Sequence, residues 1–196
     1  MRRYAIPSTL AMIVVALPPA LAAAQEAEMP TEAEMAAYMA AASPGAEHQK
    51  LAAWVGEFEV DTKFWITPGA EPMLSTGKAE RKMILGGRYA VEHYEGMFFG
   101  QPFEGMGLTG YDNVEKKYVS AWVDNMGTGI QTMSGDYDDQ GRLVLLGHYT
   151  DPVTGERKTM KAVSVESGDT EVVYMYDVAE DGTENQMMEL TYRKKM

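Results

Sequence analysis

The chain has 196 residues, a formal net charge of −12 at pH 7 and no cysteine. A surface this acidic repels nucleic acid and anionic lipid headgroups, and it lacks the basic cluster that phosphate binding needs. Without cysteine there is no disulfide, zinc–cysteine site, iron–sulfur cluster or thiol chemistry, so packing and hydrogen bonds alone must hold the fold.

The opening MRRYAIPSTLAMIVVALPPALAAAQ carries two arginines, an apolar run from Leu10 to Leu17 and small residues at Ala22 to Ala24. That layout predicts a secretory signal peptide over 1–24, cleaved before Gln25, and hence a periplasmic or secreted protein. The run is broken by Pro18 and Pro19 and is too short to span a bilayer, so no stable membrane insertion is expected. Loss of Arg2 and Arg3 takes the formal charge to about −14 and leaves about 172 residues, enough for one domain with a real core.

Residues 25–43 form an alanine-rich helical or flexible segment. Thr31 followed by Glu34 has capping-box spacing, and Ser43-Pro44-Gly45 ends the helix. A second short helix, Ala46 to Trp54, places Leu51 and Trp54 on one face with His48 nearby. It either caps a barrel mouth or tethers the N-terminus.

From Gly56 the helical period vanishes and ten short strands follow, starting near residues 57, 74, 89, 103, 117, 129, 142, 157, 170 and 186. Turn clusters such as Tyr-Asp-Asn at 111 to 113 and Asp-Pro-Val-Thr-Gly at 151 to 155 separate them. Regular hairpin spacing without intervening helices predicts an all-β, antiparallel up-and-down meander. Closure into a barrel of about ten strands over 44–196, with one or two short N-terminal helices, removes the exposed edges. In β-period, Phe58, Val60 and Thr62 oppose Glu59, Asp61 and Lys63. On the strand Lys117 to Asp124 both faces carry bulk, which fits an outer apolar skin or a polar-lined interior.

The stretch GQPFEGMGLTGYD, Gly100 to Asp112, has two readings. A phosphate loop needs a strand feeding a helix N-terminus, usually with a lysine, and neither follows here. Alternate glycines on one strand face instead let the strand coil or let an aromatic ring lie flat across it, with Trp122, Tyr94 or Phe103 as the ring.

The runs MILGGRY…EGMFFGQPFEGMGLTGYDNVEKKYVSAWVDNMGTGI, GAEHQKLAAWVGEFEV, KFWITPGAEP and STGKAE resemble a bacterial domain-of-unknown-function family, number 1579, over roughly Pro44 to Arg193. The resemblance implies a lipocalin-like barrel. It brings no activity and no catalytic residues.

Chemistry-bearing residues are few. His48, His93 and His148 sit on separate elements without HxH or HExxH spacing, no CxxCH is present, and the methionines form no Met-x-x-Met array. No metal and no cofactor is therefore expected. No serine sits in a GxSxG elbow. The richest polar cluster is WVDNMGTG, where Asp124 and Asn125 either make a turn or put Trp122 and Asp124 toward a cavity with His93, Tyr94 or Glu95. The candidate ligand-binding residues are thus His93, Tyr94, Glu95, Trp122, Asp124 and His148, around a small, largely apolar molecule, with methionine as adaptable lining. Two other functions stay open. A barrel enzyme requires a titratable pair among His93, Glu95, Asp124 and His148 in one pocket; a filled interaction module predicts no cavity and an exposed outer patch.

Overall fold

The computed structural model describes residues 29–196. The expected leader over 1–24 lies outside the described residues, as do residues 25–28 of the segment after it.

Helix α1, Glu32–Ala42, begins with the expected capping box: the Thr31 backbone N–H donates to Glu34 at 2.8 Å, and Glu34 N–H donates to Thr31 Oγ1 at 3.3 Å. No residue of α1 is buried. Its C-terminal end is moored to two hairpin turns, by Arg88 Nε donating to the Ala42 carbonyl at 2.9 Å and Asn113 Nδ2 to that of Ser43 at 2.8 Å. Helix α2 follows at Ala46–Ala53.

Ten strands then run β1 Gly56–Phe64, β2 Met73–Ile84, β3 Tyr89–Phe98, β4 Gln101–Asp112, β5 Lys117–Asp124, β6 Gln131–Tyr137, β7 Leu143–Thr150, β8 Arg157–Ser167, β9 Thr170–Val178 and β10 Glu184–Lys194. Each pairs antiparallel with its sequence neighbours, and β10 returns to β1, with Val60 opposite Tyr192 and Phe64 opposite Met188, so the sheet closes into a barrel. The register carries one inward set around the ring: Phe58, Ala79, Tyr94, Gly105 and Asp124 lie on successive pairs. On β5 this sends Tyr118, Ser120, Trp122 and Asp124 inward and leaves Val119, Ala121 and Val123 outside.

The hairpin alternation gives the barrel two unlike ends. At the end holding the β2–β3, β4–β5 and β6–β7 turns, α2 lies across the opening. Leu51 packs on Tyr118, and Trp54 on Phe58 and Tyr192. The Tyr118 hydroxyl, on a fully buried ring, donates to Glu47 Oε2 at 2.6 Å; Lys50 pairs with the same carboxylate at 2.7 Å and lies 4.7 Å over the Tyr137 ring. His48 is buried edge-on to Tyr111, its Nδ1 accepting from Gly45 N–H at 3.0 Å. The α2 helix is therefore a plug, which decides between the two roles open from its sequence. The opposite end, at the β1–β2, β3–β4 and β5–β6 connections, is a mouth.

The glycines of GQPFEGMGLTGYD are architectural. A Cβ on Gly105 would fall inside the Trp122 ring, and one on Gly107 would stand 3.3 Å from it, so the indole lies flat along bare β4 backbone. Gly77 and Gly96 seat Tyr94 in the same way, from β2 and from its own strand. Overpacking such a contact costs about 1–3 kcal/mol. Gly105→Ala is therefore expected to lower the unfolding free energy in urea by an amount in that range and shift the tryptophan emission, with Gly107→Ala milder on both. Equal, negligible effects would show that the indole does not rest on this strand.

Candidate functional site

The lumen is built from inward positions alone, and its two halves differ. Toward the plug the inward side chains are buried in two clusters, Phe58, Val60, Ala79, Tyr94 and Tyr192 in one and Tyr118, Leu145 and Ala162 in the other. Toward the mouth, Trp122, Met133, Met175 and Leu190 are only half-buried. The interior is thus packed at its floor and looser above it, where half-buried side chains stand among the buried Thr62, Tyr94 and Met160.

Four of the five phenylalanines of the chain meet at the mouth. Phe64 ends β1, Phe98 ends β3, Phe99 makes the turn and Phe103 starts β4. Ring centroids lie 5.2 Å apart for Phe64–Phe98, 5.7 Å for Phe64–Phe99 and 4.4 Å for Phe98–Phe99, in edge-to-face contact. Phe64, Phe98 and Phe99, with Thr62, Met73, Leu74, Ser75 and Met97, border a recess of about 200 Å³. Phe99 holds φ at 49° ahead of Gly100 at 74°, the two-residue hairpin turn that asparagine–glycine favours. A bulky aromatic residue in that conformation is strained by about 1–2 kcal/mol. Backbone strain is tolerated where the side chain is needed, and it points from the outlier toward a role for this ring.

Polar groups enter the lumen at several places, three of which stand out. At the floor, Arg81 on β2 pairs with Glu92 on β3 and, at 2.5 Å, with Glu171 on β9, while the Tyr192 hydroxyl donates to Glu92 at 3.2 Å. The guanidinium also lies 4.4 Å from the Tyr192 ring centroid and 5.0 Å from that of Phe58. Burial alone would push the Arg81 pKa down, but the Glu92 and Glu171 charges outweigh it and carry it up. Burial, then the Glu92 charge, raises the Tyr192 hydroxyl. On the wall, Trp122 Nε1 donates to Asp124 Oδ2 at 2.9 Å, and Asp124 Oδ1 accepts from Met126 N–H at 2.9 Å. Nearer the mouth on β9, Asp177 turns inward, and its Oδ1 is buried with no hydrogen-bond partner among the described residues.

Of the six residues singled out from the sequence, the barrel brings Tyr94, Trp122 and Asp124 to its inner face. His93 and Glu95 flank Tyr94 on β3 and, by the period of two, point outward; His148 opposes Thr159 on the outer face of β7, with Thr159 Oγ1 3.3 Å from its Nδ1. An inward cluster joining His93 or Glu95 to Trp122 is therefore corrected: adjacent strand residues cannot share a face. His93, Tyr94, Glu95 and Asp124 do border one open depression of about 390 Å³, across the outside of β3, β4 and β5. Asp124 and Asn125 make the expected turn, Asn125 Oδ1 accepting from Glu104 N–H at 3.2 Å. Among the described residues no three His, Asp or Glu side chains are grouped to hold a metal, and no helix is long and apolar enough to cross a membrane.

Sequence reasoning missed Arg81, Glu171 and Tyr192, and it did not single out the mouth phenylalanines. One signal for Arg81 was present. In STGKAER it keeps step with Gly77 and Ala79, the small residues facing in, whereas Lys78, Glu80 and Lys82 keep step outside.

Fold and lumen together define a class: a ten-stranded antiparallel β-barrel plugged at one end by a short helix and open at the other. The chain belongs to the family described as "Protein of unknown function (DUF1579)", which matches residues 43–194. No curated protein matches the chain.

Removing one member of a buried charge cluster leaves the others uncompensated, at a cost of about 3–5 kcal/mol. Arg81→Met should lose that much in chemical denaturation, and adding Glu92→Gln with Glu171→Gln should recover part of it. Loss below about 1 kcal/mol would mean that the cluster does not hold the floor. The plug carries a pH dependence of its own. The Lys50 contact, then the Tyr118 hydrogen bond, lowers the Glu47 pKa from 4.5. A depressed carboxylate contributes stability that is full above its unfolded pKa and is lost as pH falls through the folded one. Glu47→Gln should therefore make the acid-side fall in stability below pH 4.5 shallower, as read by thermal melts across pH.

Proposed function

We propose that the protein binds a small, largely apolar molecule in the barrel lumen, admitted through the phenylalanine-lined mouth. The observation that carries this reading is the gathering of four phenylalanines at the unplugged end, one of them held in a strained backbone, above inward side chains of which Trp122, Met133, Met175 and Leu190 are only half-buried. Pockets for drug-sized ligands span about 300–1,000 Å³. A recess of about 200 Å³ suits a smaller guest, or one that projects from the mouth. The methionines at 133, 160 and 175 give the wall an adaptable lining, and Asp177 supplies a carboxylate oxygen for a hydrogen-bond donor on the guest. The leader-like layout of residues 1–24 supports a periplasmic or secreted setting. Half-buried inner residues weigh against a filled structural barrel. Of the four groups that an enzyme reading asked for, Asp124 faces the lumen and His93, Glu95 and His148 face outward, with His93 and Glu95 beside Asp124 only at the open outer depression.

Titration with the neutral fluorophore N-phenyl-1-naphthylamine, followed by its emission and by Trp122 quenching, tests the reading. The wild type should bind it saturably. Phe98→Glu should weaken binding tenfold or more, about 1.4 kcal/mol. Phe99→Asn separates binding from folding, because it relieves the left-handed backbone: it should raise the melting temperature while weakening the probe. Unaltered affinity in both variants, with β-sheet circular dichroism intact, would overturn the assignment of the mouth.

A further inference from the structure

Every charged side chain on the inner face of the barrel but one has a partner among the described residues. At the floor Arg81 holds Glu92 and Glu171, the Tyr137 hydroxyl donates to Glu166 at 3.4 Å, and Lys194 Nζ donates to the Ala53 carbonyl at 3.4 Å. On the wall Asp124 accepts from Trp122 and Met126. At the mouth Lys158 pairs with Asp151 at 3.0 Å, a contact that, with the Val153 and Thr154 N–H groups, holds the Asp151 pKa down at about 2. The exception is Asp177. Its Oδ1 is buried without a hydrogen bond, and among the described residues it belongs to no ion pair. Met160 on β8 and Asn185 on β10 stand opposite it, and Tyr149 on β7 is near enough that burial, then the Asp177 charge, raises its hydroxyl pKa. None of the three gives Oδ1 a donor.

A carboxylate oxygen withdrawn from water without a donor destabilises the fold, so it calls for a donor that the fold itself does not provide. We propose that the donor is a protonated amine: the guest of the lumen is an amphiphile with one ammonium group, held by Asp177, and an apolar body lying against the phenylalanines of the mouth. The inference rests on the lumen-binding reading above and adds the chemical class of the guest.

Charge selects an ammonium over other donors. Five carboxylates, Glu92, Asp124, Glu166, Glu171 and Asp177, face inward against the three cations Arg81, Lys158 and Lys194, each of which is already engaged. An anionic guest meets like charge there, and a neutral donor satisfies the oxygen but leaves the charge unpaired. An ammonium does both, through a charge-assisted hydrogen bond about twice as strong as a neutral one. Placement gives the guest its two ends. Phe64 is opposite Met188, and Met188 is opposite Met175, two residues along β9 from Asp177. Two strand spacings of about 4.8 Å and one two-residue step of about 6.8 Å set Phe64 and Asp177 about 12 Å apart on the sheet, a span that one small amphiphile covers. The route in favours the same class. Ring faces at the mouth attract a cation, and a net charge of −12 concentrates cations around the molecule.

Displacement of bound N-phenyl-1-naphthylamine by octylammonium, octanol and octanoate at neutral pH is the test. It is run on the wild type, on Asp177→Asn and on Glu59→Gln, which removes one carboxylate from the outer face. In the wild type octylammonium should displace the fluorophore at a concentration about tenfold or more below that of octanol, with octanoate weakest. Asp177→Asn should bring the ammonium-to-alcohol ratio close to one, while Glu59→Gln keeps the wild-type ratio. Without guest, Asp177→Asn should melt no lower than the wild type, because it removes an unpaired buried charge. A lower melting temperature would mean that the carboxylate has a structural partner, and it overturns the inference. So does a ratio near one in the wild type, where water serves the oxygen, and so does a ratio that falls equally in both variants, where the acidic surface as a whole attracts the amine. Those outcomes leave the lumen reading standing as long as the fluorophore binds. A wild type that does not bind the fluorophore removes both.

Discussion

The pairing of β10 with β1 is the contact on which everything else rests. Without it, ten hairpin-linked strands are an open sheet with two free edges and no defined interior. With it, the two faces of every strand become different solvents, and each residue is committed to lumen or surface by the parity of its position. The commitment propagates around the ring. Phe58 faces in, therefore Ala79 does, therefore Tyr94, and so on to Trp122 and Tyr192. A slip of one residue on β1 would turn Phe58, Val60 and Thr62 outward and bring Glu57, Glu59 and Asp61 into the lumen.

Parity also explains how legible the molecule was. β3 and β5 were read to their exact ends because Gly-Gly-Arg, the Asp-Asn turn and the Asp-Asn-Met-Gly turn punctuate them sharply. β4 and β10 were read short, since Gln101-Pro102 and Glu184-Asn185 carry turn chemistry inside the ladder. The floor was not legible. The step that Arg81 keeps with Gly77 and Ala79 gives its face but not its partners. Only cross-strand register reveals that it meets Glu92 and Glu171, the latter ninety residues away. The mouth was hidden for the same reason, because Phe64 and Phe98 become neighbours only once β1, β2 and β3 pair in register.

Aromatic rings and glycines solve a packing problem together. A small barrel has little room for rings that point straight at its axis. Trp122 and Tyr94 instead lie along neighbouring strands, where Gly105, Gly107, Gly77 and Gly96 supply no side chains. The lumen above the floor is kept open by rings laid against its wall. Below, the Arg81 cluster serves the opposite end, joining β2, β3, β9 and β10 across the interior under the plug. Charge at the base and bare backbone along the sides are two answers to one geometric constraint.

The plug has a kinetic consequence. With α2 across one end, whatever enters the lumen must leave by the aperture through which it came. Microscopic reversibility then ties the two directions of exchange together. A change that only slows the opening of the phenylalanine rim lengthens arrival and departure by the same factor and leaves the equilibrium where it was. For a guest admitted as proposed, a rim change that alters only the barrier would move residence time alone, whereas one that removes a contact with the guest would move affinity as well.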